Sequence, residues 1–195
     1  MAVSAKLQAF LDASNVKYAA AKHPAVYTAQ EIAAAQHVPG RQLAKCVLVK
    51  TDRGAVLSVL PAVHLIDLKK LKTVLGAKTL TIAKEADIKE RFPDVEVGAM
   101  SPFGNLYNVP VVADRALEEA EYIVFNAGSH TDTIKMRYQD FVRLAKPTVG
   151  SFGQPFGGKP SGKKKGAAPT RRQRPRPPAP RRHRAKKPSA RSKAR

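Results

Sequence analysis

The hydrophobic positions of the first 150 residues change repeatedly between a helical and a strand period. Apolar residues recur at helical spacing after Ser4 and after Asp67, and each of these polar residues is predicted to be the N-cap of a helix. Thr28 and Glu31 have the spacing of a capping box, which predicts another helix. The predicted helices cover residues 4–13, 28–36, 67–75, 83–92 and 138–144, and the predicted strands cover residues 16–22, 46–49, 55–60, 109–113, 122–125 and 133–136. This order predicts one mixed α/β domain, with too few regular βαβ units for a doubly wound parallel sheet.

The composition changes near residue 150. The chain has 195 residues and a net charge of +20, and residues 151–195 hold 16 of its 35 Lys and Arg, none of its Asp or Glu and 8 of its 15 prolines. Such a segment cannot bury enough apolar surface to offset the entropy of ordering it. We therefore place the folded domain at residues 1–148 and a disordered Lys/Arg/Pro-rich tail at residues 149–195.

The basic clusters of this tail predict affinity for nucleic acid through its phosphates, independent of base sequence and sensitive to salt. The alternative is a solvating tail whose affinity for nucleic acid is incidental. The residues predicted to contact nucleic acid are Lys163, Lys164, Lys165, Arg171, Arg172, Arg181 and Arg182.

The sequence lacks the signatures of several protein classes. No apolar run approaches the ~20 residues of a membrane-spanning helix, and the N-terminus is too polar for a secretory signal, so we expect a cytoplasmic protein without a membrane partner. Cys46 is the single cysteine, which excludes an intramolecular disulfide, and the five histidines show no metal-ligand spacing. Nucleotide-binding glycine motifs and the zinc-protease and serine-hydrolase motifs are also missing. We therefore expect neither a metal nor a cofactor.

Two glycine-bearing segments, residues 98–104 and 126–131, lie beside predicted strands and are candidates for a binding site. Glycine lets the backbone approach a ligand closely, and successive N–H groups in such a turn can bind a carbonyl oxygen or an oxyanion. Lys45 begins a hydrophobic strand, where its ammonium could contact a phosphate or a ribose. The alternatives are two ordinary connections between elements and a solvated lysine at a strand edge.

Two further side chains have chemistry that a site could use. The imidazole of His130 is a side chain that can act as a general base or orient a carbonyl group. The alternative is a turn histidine that is bonded to its own backbone. Cys46 lies in an apolar run without an evident partner, and we interpret it as a core residue.

Five short segments occur along the chain in an order that resembles a known family. They are His23-Pro24 with Tyr27-Thr28, Gln42-Leu43-Ala44-Lys45, the Gly98-x-x-x-Pro102 loop with Phe103-Gly104, Val109-Pro110-Val111 with Asp114, and Gly128-Ser129-His130-Thr131. None is specific alone, but the ordered set between residues 16 and 147 resembles the YbaK/prolyl-tRNA synthetase-associated (EbsC-like) domain family of trans-acting aminoacyl-tRNA deacylases.

The resemblance implies a compact α/β fold in which a mixed sheet curls into a barrel-like core surrounded by helices. It also implies that water hydrolyses the ester joining a wrong amino acid to the 3′-terminal adenosine of tRNA. Lys45 corresponds to the lysine that positions the 3′ end, and residues 98–102 to the loop whose backbone groups surround the ester. The implied catalytic residues are Lys45, Gly98, Ala99, Met100, Ser101, Pro102 and His130. The implied substrate-binding residues are His23, Tyr27, Thr28, Phe103, Gly104, Gly128 and Ser129.

The resemblance implies mischarged tRNA as the partner, with a proline tRNA as the first candidate and a synthetase or the ribosome as further ones. The amino acid removed could be alanine, cysteine, serine, threonine or a non-protein residue. Two other functions stay open: a non-catalytic RNA- or DNA-binding protein with a deacylase-like domain, and a chromosome-associated protein whose basic arm coats DNA. The common members of the family end near the position of Pro147, so the tail is the main departure of this chain from the family pattern.

Overall fold

The computed structural model describes residues 3–25 and 27–156 of the chain. The basic clusters predicted to bind nucleic acid lie outside these residues. In the described part, the helices are α1 (Ala5–Ala13), α2 (Ala29–Ala35), α3 (Leu68–Leu75), α4 (Glu85–Arg91) and α5 (Tyr138–Ala145), and the 3₁₀ turns are Gly104–Tyr107 and Arg115–Glu119. The strands are β1 (Tyr18–Lys22), β2 (Ala44–Thr51), β3 (Gly54–Pro61), β4 (His64–Ile66), β5 (Leu80–Ile82), β6 (Val111–Asp114), β7 (Tyr122–Asn126), β8 (Asp132–Arg137), β9 (Thr148–Gly150) and β10 (Gly153–Pro155).

The predicted helix starts are confirmed in two of three cases. The side chain of Thr28 accepts the Glu31 N–H at 3.2 Å and the side chain of Glu31 accepts the Thr28 N–H at 3.0 Å, which is the expected capping box. Asp67 caps α3 by accepting the N–H groups of residues 69 and 70. Ser4 precedes α1, but its hydroxyl donates to Asp94 instead of capping the helix, so that part of the prediction is wrong.

The strands form three sheets. The largest has the order β5-β2-β3-β6-β9, antiparallel from β5 to β3 and parallel from β3 to β9. A second, antiparallel sheet has the order β1-β8-β7, and the third pairs β10 with β4. A parallel bridge between Leu43 and Val124 links β7 to the chain just before β2. The mixed α/β fold is therefore confirmed, whereas no closed barrel is found within residues 3–25 and 27–156, because β5 and β9 remain edges of the largest sheet.

Both faces of the largest sheet are buried. On one side, Phe103 packs edge-on against Phe10, Phe125 and Phe141, with ring centroids 5.5 to 5.9 Å apart. On the other side, a separate cluster joins the sheet to α3 and to the C-terminal segment, and it comprises Val49, Leu60, Leu71, Val112 and Phe152. Burial of apolar surface on both faces fixes β2 and β3 in place, and β2 carries the candidate lysine.

The folded domain extends past the predicted boundary at residue 148. Phe152 is fully buried, and its N–H and that of Gly153 donate to one oxygen of Asp114 at 2.7 and 2.6 Å. Residues 149–156, which the sequence assigned to the tail, therefore belong to the fold. These residues share the missing acidic residues of the tail but none of its Lys or Arg, which begin at Lys159, so the predicted boundary was placed too early.

Candidate active site in the cleft beside Lys45

A small cleft of about 40 Å³ opens where the chain enters β2. Its walls come from the start of β2, the glycine loop before the first 3₁₀ turn, the end of β7, and the start of α2 with the segment before it. The lining residues are Tyr27, Ile32, Leu43, Ala44, Lys45, Cys46, Gly98, Met100 and Asn126. The lining is thus of mixed polarity, with one ammonium group and one side-chain amide among its polar groups.

Lys45 is held at the wall of this cleft by its place in β2. It pairs with Leu60 of β3, and its Nζ donates a long hydrogen bond of 3.4 Å to the carbonyl of Ala62. Partial burial of the ammonium lowers the pKa of Lys45 from the ordinary lysine value. A lysine has three N–H donors, so the single bond to Ala62 leaves donors for a phosphate or ribose oxygen.

The loop that begins at Gly98 is fixed by backbone hydrogen bonds to the segment around Gly128. The N–H of Glu96 donates to the carbonyl of Gly128 at 2.9 Å, and the N–H of Gly128 donates to the carbonyl of Ala99 at 3.1 Å. Gly98 has a φ of +92°, a conformation that side chains other than glycine rarely adopt. Among the described residues, the N–H groups of Gly98 and Met100 donate to no other backbone group.

His130 lies behind this loop and does not itself line the cleft. Its N–H donates to a carboxylate oxygen of Glu96 at 2.8 Å, and its Nε2 donates to the carbonyl of Val97 at 3.0 Å, since a carbonyl can only accept. Its ring lies against Tyr27 with centroids 4.8 Å apart. The side chain therefore supports two walls of the cleft, Tyr27 and the Gly98 loop.

The predicted catalytic set divides into residues at the cleft and residues behind it. Lys45, Gly98 and Met100 line the cleft. Ala99, Ser101 and Pro102 belong to the same loop, but they are buried and are not among the lining residues.

The predicted substrate-binding set is brought together less well, because only Tyr27 lines the cleft. Thr28 caps α2, and His23 is buried with its Nδ1 donating to the carbonyl of the adjacent Pro24 at 2.8 Å. Phe103 and Gly104 are buried in the core, where a Cβ on Gly104 would come within 2.6 Å of a backbone oxygen.

Gly128 and Ser129 lie on the wall of a different cleft, next to Ser4 and residues 93–96. The hydroxyl of Ser129 donates to Asp132 at 2.6 Å, and Thr131 donates to the same carboxylate oxygen at 2.7 Å. The hydroxyl of Ser129 therefore stabilises the buried carboxylate of Asp132, and Ser129 does not line the Lys45 cleft.

Sequence reasoning missed several lining residues: Ile32, Leu43, Ala44, Cys46 and Asn126. Leu43 and Ala44 directly precede Lys45 in the segment Gln42-Leu43-Ala44-Lys45, and this adjacency could have predicted them. Cys46 packs against the core, as predicted, and also reaches the cleft. Burial raises the pKa of its thiol, which keeps it protonated at neutral pH and unsuited to nucleophilic attack.

Asn126 ends β7 and begins the glycine-bearing segment 126–131, but the sequence did not single it out as a site residue. Its Oδ1 is buried and has no hydrogen-bond partner in the part of the chain that the structure describes. A buried acceptor that is unpaired in the free protein is suited to a donor on a ligand.

Neither metal chemistry nor a membrane span is indicated for residues 3–25 and 27–156. Their His, Cys, Asp and Glu side chains form no group of three that could hold a metal ion. None of their helices has the length and apolarity needed to cross a bilayer.

Comparison with known proteins identifies the family of this chain. Residues 23–144 match the family model of the aminoacyl-tRNA editing domain. The chain is 27% identical over 152 residues to the Multifunctional Ser/Thr-tRNA deacylase ProXp-y of Escherichia coli K12, covering 75% of this chain and 90% of that protein. It is also 32% identical over 95 residues to the proline–tRNA ligase of Thermosipho africanus, which is 49% of this chain and 17% of that enzyme.

The fold is shared with solved structures of low sequence identity. One is described as a candidate trans-editing enzyme for prolyl tRNA synthetase, with a TM-score of 0.69, 20% identity, and coverage of 78% of this chain and 97% of that one. At this identity the likeness shows the fold alone. The family match extends over well over half of the sequence and includes Lys45 and the Gly98 loop, which confirms the resemblance drawn from the sequence. The chain belongs to the aminoacyl-tRNA editing domain family.

Proposed function

We propose that this domain is a trans-acting deacylase that removes a wrongly attached amino acid from the 3′ end of tRNA. The observation that carries the proposal is that Lys45 and Gly98 line one cleft within the segment matched by the editing family. Water adds to the ester carbonyl carbon, and the bond from that carbon to the ribose oxygen breaks. The proton that water loses ends on the ribose hydroxyl, and the products are the free amino acid and uncharged tRNA.

Lys45 binds the nucleotide side of this substrate. Its ammonium is charged at neutral pH, although burial lowers its pKa, and Ala62 is its hydrogen-bond acceptor among the described residues. A positive charge with free donors at the wall of the cleft favours a phosphate or the 3′-terminal ribose over a neutral ligand.

The Gly98 loop acts on the acyl side. An aminoacyl ester is already activated, so fixed donors toward the developing oxyanion and a held water molecule are sufficient for rapid hydrolysis. The N–H groups of Gly98 and Met100 are the donors that the loop offers. The loop is held by its bonds to the Gly128 segment, so these donors need little reorganisation when the oxyanion forms.

His130 is a positioning residue in this mechanism. Its Nε2 proton is used by the Val97 carbonyl, and its ring supports Gly98 and Tyr27 from behind. We assign no general base to a side chain, since the cleft-lining set contains neither a carboxylate nor an imidazole.

Serine and threonine are the first amino acids to test. The E. coli relative is named a Ser/Thr-tRNA deacylase, and the cleft is lined by an unpaired acceptor, Asn126 Oδ1. That oxygen would accept a hydrogen bond from the substrate's ammonium or side-chain hydroxyl. Alanine and cysteine belong in the same comparison because a pocket separates side chains that differ by one small group only weakly.

The basic segment of residues 157–195 adds affinity for the tRNA through its phosphates. It carries all 16 of the Lys and Arg found after residue 150 and no acidic residue. A proline tRNA is the first tRNA to test, in view of the proline–tRNA ligase relatives, and a synthetase or the ribosome is a further partner in the cytoplasm, where tRNA is charged.

The experiment is a deacylation assay on tRNAs mischarged with alanine, cysteine, serine or threonine. Wild type is compared with Lys45→Ala and with Lys50→Ala, which removes an exposed lysine of the same strand that pairs with Asp87 away from the cleft. Release of one or two amino acids by wild type and Lys50→Ala, lost in Lys45→Ala, supports the proposal. Absence of release from every tRNA, with tRNA still bound, would establish a non-catalytic RNA-binding protein instead.

A further inference from the structure

An exposed aromatic ring lies beside the candidate lysine at the end of the described chain. The ring of Phe156 is 55% exposed, and its centroid lies 5.9 Å from the Nζ of Lys45. The Phe156 N–H donates to the carbonyl of Val63 at 3.0 Å, and Lys45 donates to the carbonyl of the adjacent Ala62. The ring and the ammonium are therefore anchored to neighbouring residues of one turn, between β3 and β4.

The segment that carries Phe156 is held firmly. β10 pairs with β4, and the buried Phe152 that precedes it accepts a hydrogen bond from the Asp67 N–H at 2.8 Å. Asp114 accepts the N–H groups of Phe152 and Gly153 from below. The position of Phe156 is thus set by the fold, while its ring remains open to solvent.

Phe156 also lies outside the segment that the family model matches, which ends at residue 144. The family match therefore does not account for the ring. Its location next to Lys45 points to the same ligand.

The chemistry of the pair indicates the kind of ligand. A flat apolar ring next to an ammonium suits a nucleotide, since the ring stacks on a base and the cation attracts the phosphate or ribose. Only an unpaired strand exposes base faces in this way. The chain that follows Phe156 has no acidic residue, and its first cation, Lys159, is at most about 11 Å further along an extended chain. A polyanion therefore matches this surface better than a partner without negative charge.

We propose that Phe156 is a stacking platform for a base of the single-stranded 3′ end of tRNA, adjacent to the nucleotide held by Lys45. This inference rests on the proposed function, because it takes the 3′ end of tRNA to lie in the Lys45 cleft. The basic residues after Phe156 bind phosphates of the same tRNA molecule, so that one substrate is held at the ring and along its stem. Linking the two contacts in one chain raises the local concentration of the second.

The test uses the full-length chain and two synthetic RNAs. One is an uncharged acceptor-stem hairpin that ends in a single-stranded CCA, and the other is the same hairpin with a blunt end. Phe156→Ala is compared with Phe156→Trp, which keeps a stacking face, and with Leu65→Ala. Leu65 is a matched control because it is 49% exposed and lies in β4, opposite Gln154 of the same two-stranded sheet.

We expect Phe156→Ala to raise the Kd for the CCA hairpin about tenfold, which is the size of one lost base stack. Phe156→Trp and Leu65→Ala keep the wild-type Kd, and the blunt hairpin binds all four proteins equally. In deacylation, Phe156→Ala raises KM and leaves kcat close to that of wild type. Equal binding of the CCA hairpin by Phe156→Ala and wild type, or an equal loss with the blunt hairpin, would overturn the proposal.

The two proposals fail in different ways. If wild type deacylates but Phe156→Ala behaves as wild type in both assays, the platform is wrong and the proposed function stands. If no mischarged tRNA is deacylated but the CCA hairpin still requires Phe156, the proposed function is wrong and the platform stands.

Discussion

The ring of His130 lies directly behind the backbone of Gly98. A Cβ built on Gly98 would come within 3.4 Å of the Cε1 of His130, and Gly98 has a φ of +92°. His130 is tied to Glu96 and Val97, and a separation of 3.4 Å is ordinary van der Waals contact. The obstacle to a side chain at Gly98 is therefore its positive φ, and an alanine there would relieve the strain by shifting the loop. The loop position and the absence of a side chain at Gly98 are therefore coupled.

Gly98→Ala should lower kcat/KM for deacylation by about ten- to hundredfold, because a small misplacement of fixed donors weakens transition-state stabilisation. The Kd for uncharged tRNA should change little, since Lys45 and Phe156 are untouched. Steady-state kinetics and fluorescence anisotropy measure the two quantities.

Gly54→Ala is the control for backbone strain alone. Gly54 has a φ of +117°, nothing lies within 4 Å of its added Cβ, and it lies in the turn between β2 and β3. We expect Gly54→Ala to lower the free energy of unfolding by about 1 kcal/mol or more and to keep deacylation activity. An equal loss of activity in both variants would mean that strain, and not the loop beside His130, is the cause.

Lys45→Met should remove activity without lowering the stability of the fold. Burial lowers the pKa of Lys45, so the folded protein holds its proton less tightly than the unfolded chain does. The charged ammonium therefore costs stability at neutral pH, and that cost disappears as the pH rises through the folded pKa toward the ordinary value of 10.5.

Thermal unfolding at neutral pH should accordingly give a Tm for Lys45→Met equal to or above that of wild type, with the difference shrinking at alkaline pH. Lys50→Met, on the same strand, removes an exposed lysine paired with Asp87 and should keep activity. A large drop in Tm for Lys45→Met would instead identify Lys45 as a structural residue.

The elements that the sequence predicted are those whose signals are local. The cap at Asp67 and the positive φ of Gly76 at the end of α3 define that helix within ten residues. The four strands that were missed have three residues each, too short for a period of two to be visible. β10, moreover, exists because Asp114, nearly forty residues earlier, binds the amides of the segment before it.

The candidate site was predicted only in part, because only some of its residues lie in local sequence motifs. Lys45, Gly98 and Tyr27 stood in motifs, and each lines the cleft. Phe103 was predicted at the site from its motif and is in the core, since adjacency in sequence does not fix which way a buried loop faces. Asn126 lay in the glycine-bearing segment 126–131, whereas Phe156 reaches the site only through the pairing of β10 with β4, which no local pattern encodes.

Asp132 should make the fold sensitive to acid. Burial alone would raise the pKa of this carboxyl, but hydrogen bonds from Ser129 and Thr131 outweigh it and lower the pKa. The carboxylate therefore stabilises the fold above the unfolded pKa, and this contribution is lost as the pH falls through the folded pKa.

Asp132→Asn should lose about 1–3 kcal/mol of unfolding free energy at pH 7, and its difference from wild type should shrink below about pH 4. Ser129→Ala should also lose stability but keep the KM for mischarged tRNA, because Ser129 is not part of the Lys45 cleft. A raised KM for Ser129→Ala would return Ser129 to the substrate-binding residues. Urea unfolding at several pH values and steady-state kinetics provide both readings.

Cys46 should be chemically silent in the native protein. Burial raises the pKa of its thiol, so the reactive thiolate is scarce at neutral and mildly alkaline pH. We expect slow alkylation by iodoacetamide under native conditions, fast alkylation in guanidinium chloride, and retained deacylation by Cys46→Ala. Loss of deacylation in Cys46→Ala would contradict the assignment of water as the nucleophile.

The basic segment should determine how strongly tRNA binding depends on salt. Each phosphate contact adds about 0.7 to 0.9 to the slope of log Kd against log salt concentration, so replacing Lys163, Lys164 and Lys165 by Gln should reduce that slope by about 2 to 3. The matched control replaces Lys69, Lys70 and Lys72, three exposed lysines of α3, by Gln. Both variants lose three charges, so a decrease confined to the first assigns the phosphate contacts to the tail and not to net charge. Equal slopes for wild type and both variants would leave the tail as a solvating segment, and tighter binding of duplex DNA than of tRNA would favour a role on chromosomes.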